Sequence, residues 1–434
     1  MGFPKDFIWA SATSSHQIEG AYLEDGKALN IWDVNFEKHV QYKDNGRVAC
    51  DHYHRVDEDI RIMKEMGLKA YRFSVSWARI YPDDSHKVNQ KGVDFYVDLV
   101  EKLLKAGIEP MCTLYHWDLP LWLYNNGGWK NPQIEEWFEE YTVTMVKAFR
   151  DKVKYYFTIN EPQCFIGLGY ITGEHAPFEK DGDVELLTRN CMRAHGRAVK
   201  AIRENAPCPV KIGYAPTCAL TIPTYENSEH IEKAREYTLD SLGVFTSRWW
   251  SDPLVLGVRP KGMEFLSDQD MKVIYQPLDF YAFNIYSCET TENIAKGESE
   301  LKNGAPSFTM PFWSIQPKVL YWAVKFLYEK YKLPMLISEN GFANLDFKML
   351  DGKVHDPQRI DVIHRFLLEL KGAIDQGVPV IGYTYWSLMD NFEWAYGYSK
   401  RFGLVHVDFN TLERTLKDSA YFYKEIIKTN GENL

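Results

Sequence analysis

Long apolar runs are missing from this 434-residue chain, and with them any segment suited to span a membrane. The N-terminus, MGFPKDFIWASATS, also lacks a basic stretch followed by an apolar core. No secretory leader is expected on that ground, and the expected location is the cytoplasm, without an anchor. Cysteine is sparse and dispersed. The seven thiols (Cys50, Cys112, Cys164, Cys191, Cys208, Cys218 and Cys288) form no CxxC pair and no zinc spacing. This excludes a disulfide framework or a structural zinc site and suits reduced thiols used as core fillers. Basic charge is in deficit: 50 Lys and Arg against 60 Asp and Glu leave a net charge of −10. Nucleic acid is thereby excluded as a partner, since phosphate binding needs a basic footprint. A neutral small molecule fits instead. Linkers and low-complexity tracts are absent as well, so residues 1–434 read as one domain.

What the chain does have is regular alternation. Short runs rich in β-branched and aromatic residues recur at Phe7–Ala12, Ala70–Trp77, Pro110–His116, Lys154–Ile159, Val210–Ala215, Leu278–Ile285, Met335–Ser338 and Val378–Trp386. Each is apolar along most of its length, as a strand buried on both faces would be. Between them lie amphipathic stretches at Val56–Met66, Val93–Lys105, Ile134–Arg150, Leu186–Glu204, Lys318–Lys330, Asp356–Ile374 and Ser419–Lys428. Gly67, Gly107 and Gly377 follow helical segments, where a left-handed cap would put a glycine. Glu226–Gly257 reads as a further helical, Trp-rich stretch of the wall. Eight strands alternating with helices predict an α/β fold, a single closed (β/α)8 TIM barrel with its chemistry at the C-terminal ends of the strands.

Those ends are polar. The first strand leads into His16, Gln17 and Glu19, the second carries Arg72, and the third ends in His116-Trp117-Asp118. The fourth ends in Asn160-Glu161-Pro162, the sixth in Asn284-Ile285-Tyr286 and the seventh in Glu339-Asn340-Gly341. The eighth ends in Trp386, followed by Asn391-Phe392-Glu393-Trp394. One buried Glu is most simply a salt-bridge partner. Two at facing strand ends, ringed by Trp, Asn, His and Gln, match what glycoside hydrolysis needs: one carboxylic acid to protonate the leaving oxygen and one carboxylate opposite it. A separation of about 5 Å would give retention through a covalent intermediate, and a wider gap inversion. Arg72 and Tyr286 are suited to holding a nucleophile ionised, and Asn160 to binding a 2-hydroxyl. Aromatic residues make up 15% of the chain, and flat rings near a groove suit the apolar faces of sugars.

The segments Thr158-Ile159-Asn160-Glu161-Pro162 and Ile337-Ser338-Glu339-Asn340-Gly341 resemble the two catalytic signatures of glycoside hydrolase family 1. So do FIWASATSSHQIEGA, YRFSVSWARIYP, LYHWDLP, the GEHAP run at Gly173–Pro177, His195, and YWSLMDNFEWAYGYSKRFGLVHVD, in that family's order and along essentially the whole chain. The resemblance implies an exo-acting retaining β-glycosidase that needs no metal or cofactor and releases terminal β-D-glucosyl residues, with galactosyl or fucosyl left open, from small β-glycosides or short oligosaccharides. It implies Glu161 as acid/base and Glu339 as nucleophile. Gln17, His116, Asn160, Trp386, Glu393 and Trp394 would form the sugar pocket, with Phe402 beside carbon 6. Arg72, Asn284 and Tyr286 would support the nucleophile.

Some positions depart from the pattern: His16 for a frequent Tyr, Gln163 for a frequent Trp, Ile285 for the first of a Tyr pair and Ser338 for Thr. Gln163 is expected on the leaving-group side. Trp77, Trp117 and Trp129 are read as packing, and His195 and the pair His52/His54 as hydrogen-bond fixtures. His175 is open to either reading. Lys400-Arg401 raises a 6-phospho-β-glycosidase as the main alternative. Glu393 argues against it, because a carboxylate there would repel a phosphate. A non-catalytic carbohydrate-binding barrel is the lesser alternative and is disfavoured by the intact carboxylate pair. An endo-acting enzyme would need an open groove where Glu393-Trp394 suggests a blind pocket.

Overall fold

The computed structural model describes residues 2–297 and 313–434. Eight parallel strands form one sheet: β1 (Ile8–Ala12), β2 (Ala70–Ser74), β3 (Glu109–Tyr115), β4 (Tyr155–Asn160), β5 (Lys211–Ala215), β6 (Tyr281–Asn284), β7 (Met335–Asn340) and β8 (Val380–Trp386). Their order is β5-β4-β3-β2-β1-β8-β7-β6. The two ends of that order meet as well. Asp279 N–H donates to Ile212 C=O at 2.9 Å, and Asn284 N–H donates to Pro216 C=O at 2.9 Å. The sheet thus closes into the expected barrel, and each expected strand matches an observed one to within a few residues.

Alternation along the strands builds two layers. Trp9, Tyr71, Phe73, Cys112, Tyr156 and Ile212 point outward into the large core shared with the helices. Ala10, Ala70, Met111, Phe157, Ala215, Phe280, Ala282 and Leu336 fill the lower barrel interior. Four alanines in that plug leave room for four larger side chains, Met111, Phe157, Phe280 and Leu336. Two residues further along the same inward rows the chemistry changes to Arg72 and Thr113, both buried. The barrel is therefore apolar below and polar above.

Two strands depart from regular pairing just before a site residue. Phe157 pairs with Gly213 and Asn160 with Ala215, so β4 holds one extra residue below its tip. Phe283 pairs with Ile337 and Asn284 with Glu339, which places an extra residue on β7. Such bulges re-aim the side chain that follows them. On β7, Ser338 and its neighbour Glu339 both find inward partners, Asn284 and Arg72, which strict alternation would forbid.

The helices follow the expected stretches, at His52–Met66, Gln90–Lys105, Ile134–Phe149, Val184–Asn205, Lys318–Tyr331, Pro357–Asp375 and Asp418–Thr429. Gly67 closes the first with φ of 75°, a conformation that a side chain would strain. The stretch read as one helical region, Glu226–Gly257, is broken: Ser228–Leu239 is separated from a short turn at Ser247–Ser251. Among the described residues, no helix is long and apolar enough to cross a membrane.

Candidate active site

The polar layer opens into a cavity of about 530 Å³ at the C-terminal ends of the strands. Its wall contains His116, Asn160, Glu161, Tyr286, Glu339, Trp386, Glu393, Trp394 and Phe402, as the sequence suggested. Gln17, Arg72 and Asn284 lie behind that wall and hold it.

Arg72 is the hub. Its Nη1 donates to Glu339 Oε1 at 2.6 Å, its Nη2 to Asn160 Oδ1 at 2.6 Å and its Nε to Thr113 Oγ1 at 3.0 Å. Tyr286 O–H donates to the other carboxylate oxygen of Glu339, Oε2, at 2.7 Å. Asn284 Nδ2 donates to Glu161 Oε1 at 2.7 Å and to Asn160 Oδ1 at 3.1 Å. Arginine can only donate, so the Asn160 side facing Arg72 must be its oxygen. Its Nδ2 therefore donates to His116 Nε2, 3.2 Å away, which leaves the His116 proton on Nδ1. That Nδ1 is buried without a protein partner, a donor available to a ligand. Burial, with Arg72 nearby, holds the His116 pKa well below its usual value, so the ring stays neutral.

The carboxyl groups titrate differently because their neighbours differ. Burial and the adjacent Glu339 push Glu161 up to about 7. Burial also raises Glu339, but Arg72 and Tyr286 oppose it there. Glu339 has a cation in direct contact and Glu161 has none, so Glu339 is the first of the two to ionise. Burial and both of these acids raise Glu393 to about 8, and its Oε2 is buried with no protein partner. Gln17 sits beside Glu393. The Gln17 Nε2 donates to Phe392 C=O at 2.8 Å and to Asn391 Oδ1 at 3.0 Å, while Ser14 O–H donates to its Oε1 at 2.6 Å.

Three residues of the site carry backbone strain. Trp117, Glu161 and Trp394 have φ of 81°, 43° and 48°, the left-handed region where a side chain costs about 1–3 kcal/mol. Local bonds hold these turns: Glu161 N–H donates to Ala215 C=O at 2.7 Å, and Trp117 Nε1 donates to Asn160 C=O at 3.0 Å. The loop carrying Glu393 and Phe402 is pinned from below by buried charge. Asp390 accepts from Lys417 Nζ at 2.7 Å, from Arg401 Nη1 at 2.7 Å and from Gly403 N–H at 3.0 Å. Arg401 is thus engaged in the support.

Several expectations change at this point. Trp77 and Trp129 pack in the core, but Trp117 borders the cavity, its ring 4.7 Å from that of Trp394. His175 borders it too. His195 accepts or donates one bond to Thr158 Oγ1 at 2.7 Å, and His52 pairs with Asp59 at 2.7 Å, as fixtures should. Gln163 does not reach the cavity. Its Nε2 donates to Thr217 C=O at 2.8 Å, and the next residue, Cys164, faces the space instead. Lys38, His39, Gln41, Glu174, Trp313 and Tyr396 complete the mouth. They come from loops with no periodic signal, which is why the sequence did not mark them.

Residues 1–432 match the model of glycosyl hydrolase family 1. The chain belongs to that family. It is 46% identical to Beta-glucosidase A of Acetivibrio thermocellus over 449 residues, covering 99% of both chains. It is 38% identical to Aryl-phospho-beta-D-glucosidase BglC of Bacillus subtilis, covering 100% of this chain and 98% of that one. Among solved structures it resembles the beta-glucosidase from Thermotoga maritima in complex with glucoimidazole, with a TM-score of 0.90, 40% identity and 99% coverage of each. Family membership makes the protein a glycoside hydrolase and agrees with the barrel built above.

Proposed function

We propose that residues 1–434 form one catalytic domain, an exo-acting retaining β-glucosidase that removes a terminal, unphosphorylated β-D-glucosyl residue from small glycosides or short oligosaccharides. The observation that carries this reading is the unequal pair, Glu339 clamped by Arg72 and Tyr286, and Glu161 protonated near neutrality beside it. In the first step Glu161 gives its proton to the leaving oxygen while Glu339 attacks the anomeric carbon, breaking the glycosidic bond and forming a glycosyl ester. In the second, Glu161 takes a proton from water as the water displaces Glu339, restoring both groups. Asn160, held by Arg72, binds the 2-hydroxyl, a contact that strengthens as charge develops on the ring. His116 Nδ1–H and Glu393 serve the hydroxyls at carbons 3, 4 and 6, while Gln17, behind the wall, holds the Glu393 loop through Phe392 and Asn391. Trp386 lies beneath the sugar, its ring 5.7 Å from and nearly parallel to that of His116.

A 6-phospho-β-glucosidase is the competing reading, and the Bacillus subtilis relative bears such a name. Against it stands Glu393, whose Oε2 is buried with no protein partner, suited to a neutral hydroxyl, and which would repel a phosphate whenever it ionises. The test is the initial rate on 4-nitrophenyl β-glucoside and on its 6-phosphate, with product stereochemistry followed by NMR. Faster turnover of the unphosphorylated compound, with β-glucose formed first, is expected. Preference for the phosphate or initial release of α-glucose overturns the reading.

A further inference from the structure

The two oxygens of Glu161 have different neighbours. Oε1 accepts from Asn284 Nδ2 at 2.7 Å, and Oε2 lies 3.1 Å from Cys164 Sγ. The Asn284 amide cannot turn round freely, because the same Nδ2 also donates to Asn160 Oδ1 at 3.1 Å, an oxygen that Arg72 identifies as an acceptor, while Oδ1 accepts from Ser338 O–H at 2.7 Å. Oε1 therefore stays an acceptor, and the transferable proton resides on Oε2. Cys164 stands three residues after Glu161, at the start of the wide helical turn Gln163–Thr172, and borders the cavity.

We propose that Cys164 is a positioning residue for the acid/base, donating its S–H to Glu161 Oε2 when that carboxylate is ionised and thereby aiming the oxygen that carries the proton. This rests on Glu161 being the acid/base. When Oε2 is protonated, the thiol gives up the donor role, and the proton is left to the leaving oxygen. The thiol shuttles no proton itself. Burial and the neighbouring Glu161 raise its own pKa well above the usual thiol value, so the S–H persists at working pH. The other groups facing Glu161 are accounted for. Glu339 and Glu393 disfavour its charge and Arg72 favours it. Tyr286 and Cys218 remain neutral, their own pKa values raised by burial. Cys164 is thus a second direct donor, with Asn284, working against burial.

The experiment is the pH dependence of kcat/KM on cellobiose and on 4-nitrophenyl β-glucoside for the unaltered enzyme, Cys164→Ala, Cys164→Ser and Glu161→Gln. Loss of the donor in Cys164→Ala should move the alkaline limb upward by roughly half a pH unit, the size of a modest hydrogen bond. Cys164→Ser, a better donor, should return the limb to its original position or below it. An unmoved limb in Cys164→Ala, or equal shifts in the serine and alanine variants, overturns the proposal. Glu161→Gln separates the two readings: if its alkaline limb persists, Glu161 is not the acid, and the failure lies there. Should Cys164→Ala not fold, methyl methanethiosulfonate on the unaltered enzyme removes the S–H without a substitution, with Cys164→Ser as the blank. The residual activity should then show the same upward shift, and an unshifted limb again overturns the proposal.

Discussion

Arg72 and Glu339 meet across the barrel through a 2.6 Å charge-assisted bond, although two strands separate β2 from β7 in the sheet. Both side chains are buried, 1% and 5% exposed, so neither charge has water to fall back on. Arg72→Met should therefore leave the proposed nucleophile uncompensated. A drop in kcat/KM of about 10²–10³ is expected from the lost electrostatic support. Stability should fall by about 3–5 kcal/mol, the scale of a broken buried pair. Kinetics and urea unfolding check the two effects, and near-normal turnover would show that the ion pair does not set the nucleophile.

The pH profile follows from the two carboxyl groups. The proposed roles need Glu161 protonated and Glu339 ionised, so activity should fall as pH rises through about 7 and fall again in acid, where Glu339 takes a proton. Stability has the opposite bias. The folded-state pKa of Glu161 is raised, so ionising it opposes folding, and the chain loses stability as pH climbs from about 4.5 to about 7. Glu161→Gln should accordingly melt higher than the unaltered protein at pH 8 and nearly together with it at pH 5. A melting difference that is the same at both values would remove this account.

The barrel was legible because burial on both faces writes continuous apolar runs such as Met335–Ser338 and Val378–Trp386. The carboxylate pair was legible because Glu161 and Glu339 stand at the ends of such runs. The extra residues on β4 and β7 were not, since a bulge arises from how two strands meet and leaves no mark in either one alone. Gln163 was misplaced for a related reason. The wide turn that follows Pro162 rotates Cys164, rather than Gln163, toward the cavity, and periodicity gives no warning of that turn. Trp117 packs in the core as read, and it also borders the cavity, a second role that its left-handed φ of 81° and the fold reveal and the sequence does not.

Glu339→Gly offers a direct chemical test of the proposed roles. Hydrolysis should be lost, and azide should restore turnover of an activated aryl glucoside with the α-glucosyl azide as product, because a small anion can enter the space left by the carboxylate. Glu161→Ala should instead impair cellobiose far more than a dinitrophenyl glucoside, whose leaving group needs no proton. Normal turnover by Glu339→Gly, or a β-configured azide product from it, would reverse the assignment.

Glu393 is the proposed reader of substrate charge. Burial, Glu339 and Glu161 raise its pKa to about 8, so in that role it would meet a neutral sugar as a hydrogen-bonding group rather than as a fixed anion. A 6-phosphate carries about −1.5 to −2 charge, which would hold Glu393 protonated at best and repel it at worst. Lys400 lies close enough to lower the Glu393 pKa, so removal of the carboxylate would leave a cation near the incoming phosphate. Glu393→Ser should therefore act oppositely on the two substrates. On 4-nitrophenyl β-glucoside, kcat/KM should fall by about 10²-fold, as lost hydrogen bonds to the sugar predict. On the 6-phosphate it should hold or rise, so the ratio between the two shifts by at least the same factor. Competition kinetics with both substrates in one vessel measure that ratio directly. Equal losses on the two would mean that Glu393 supports the pocket without discriminating charge.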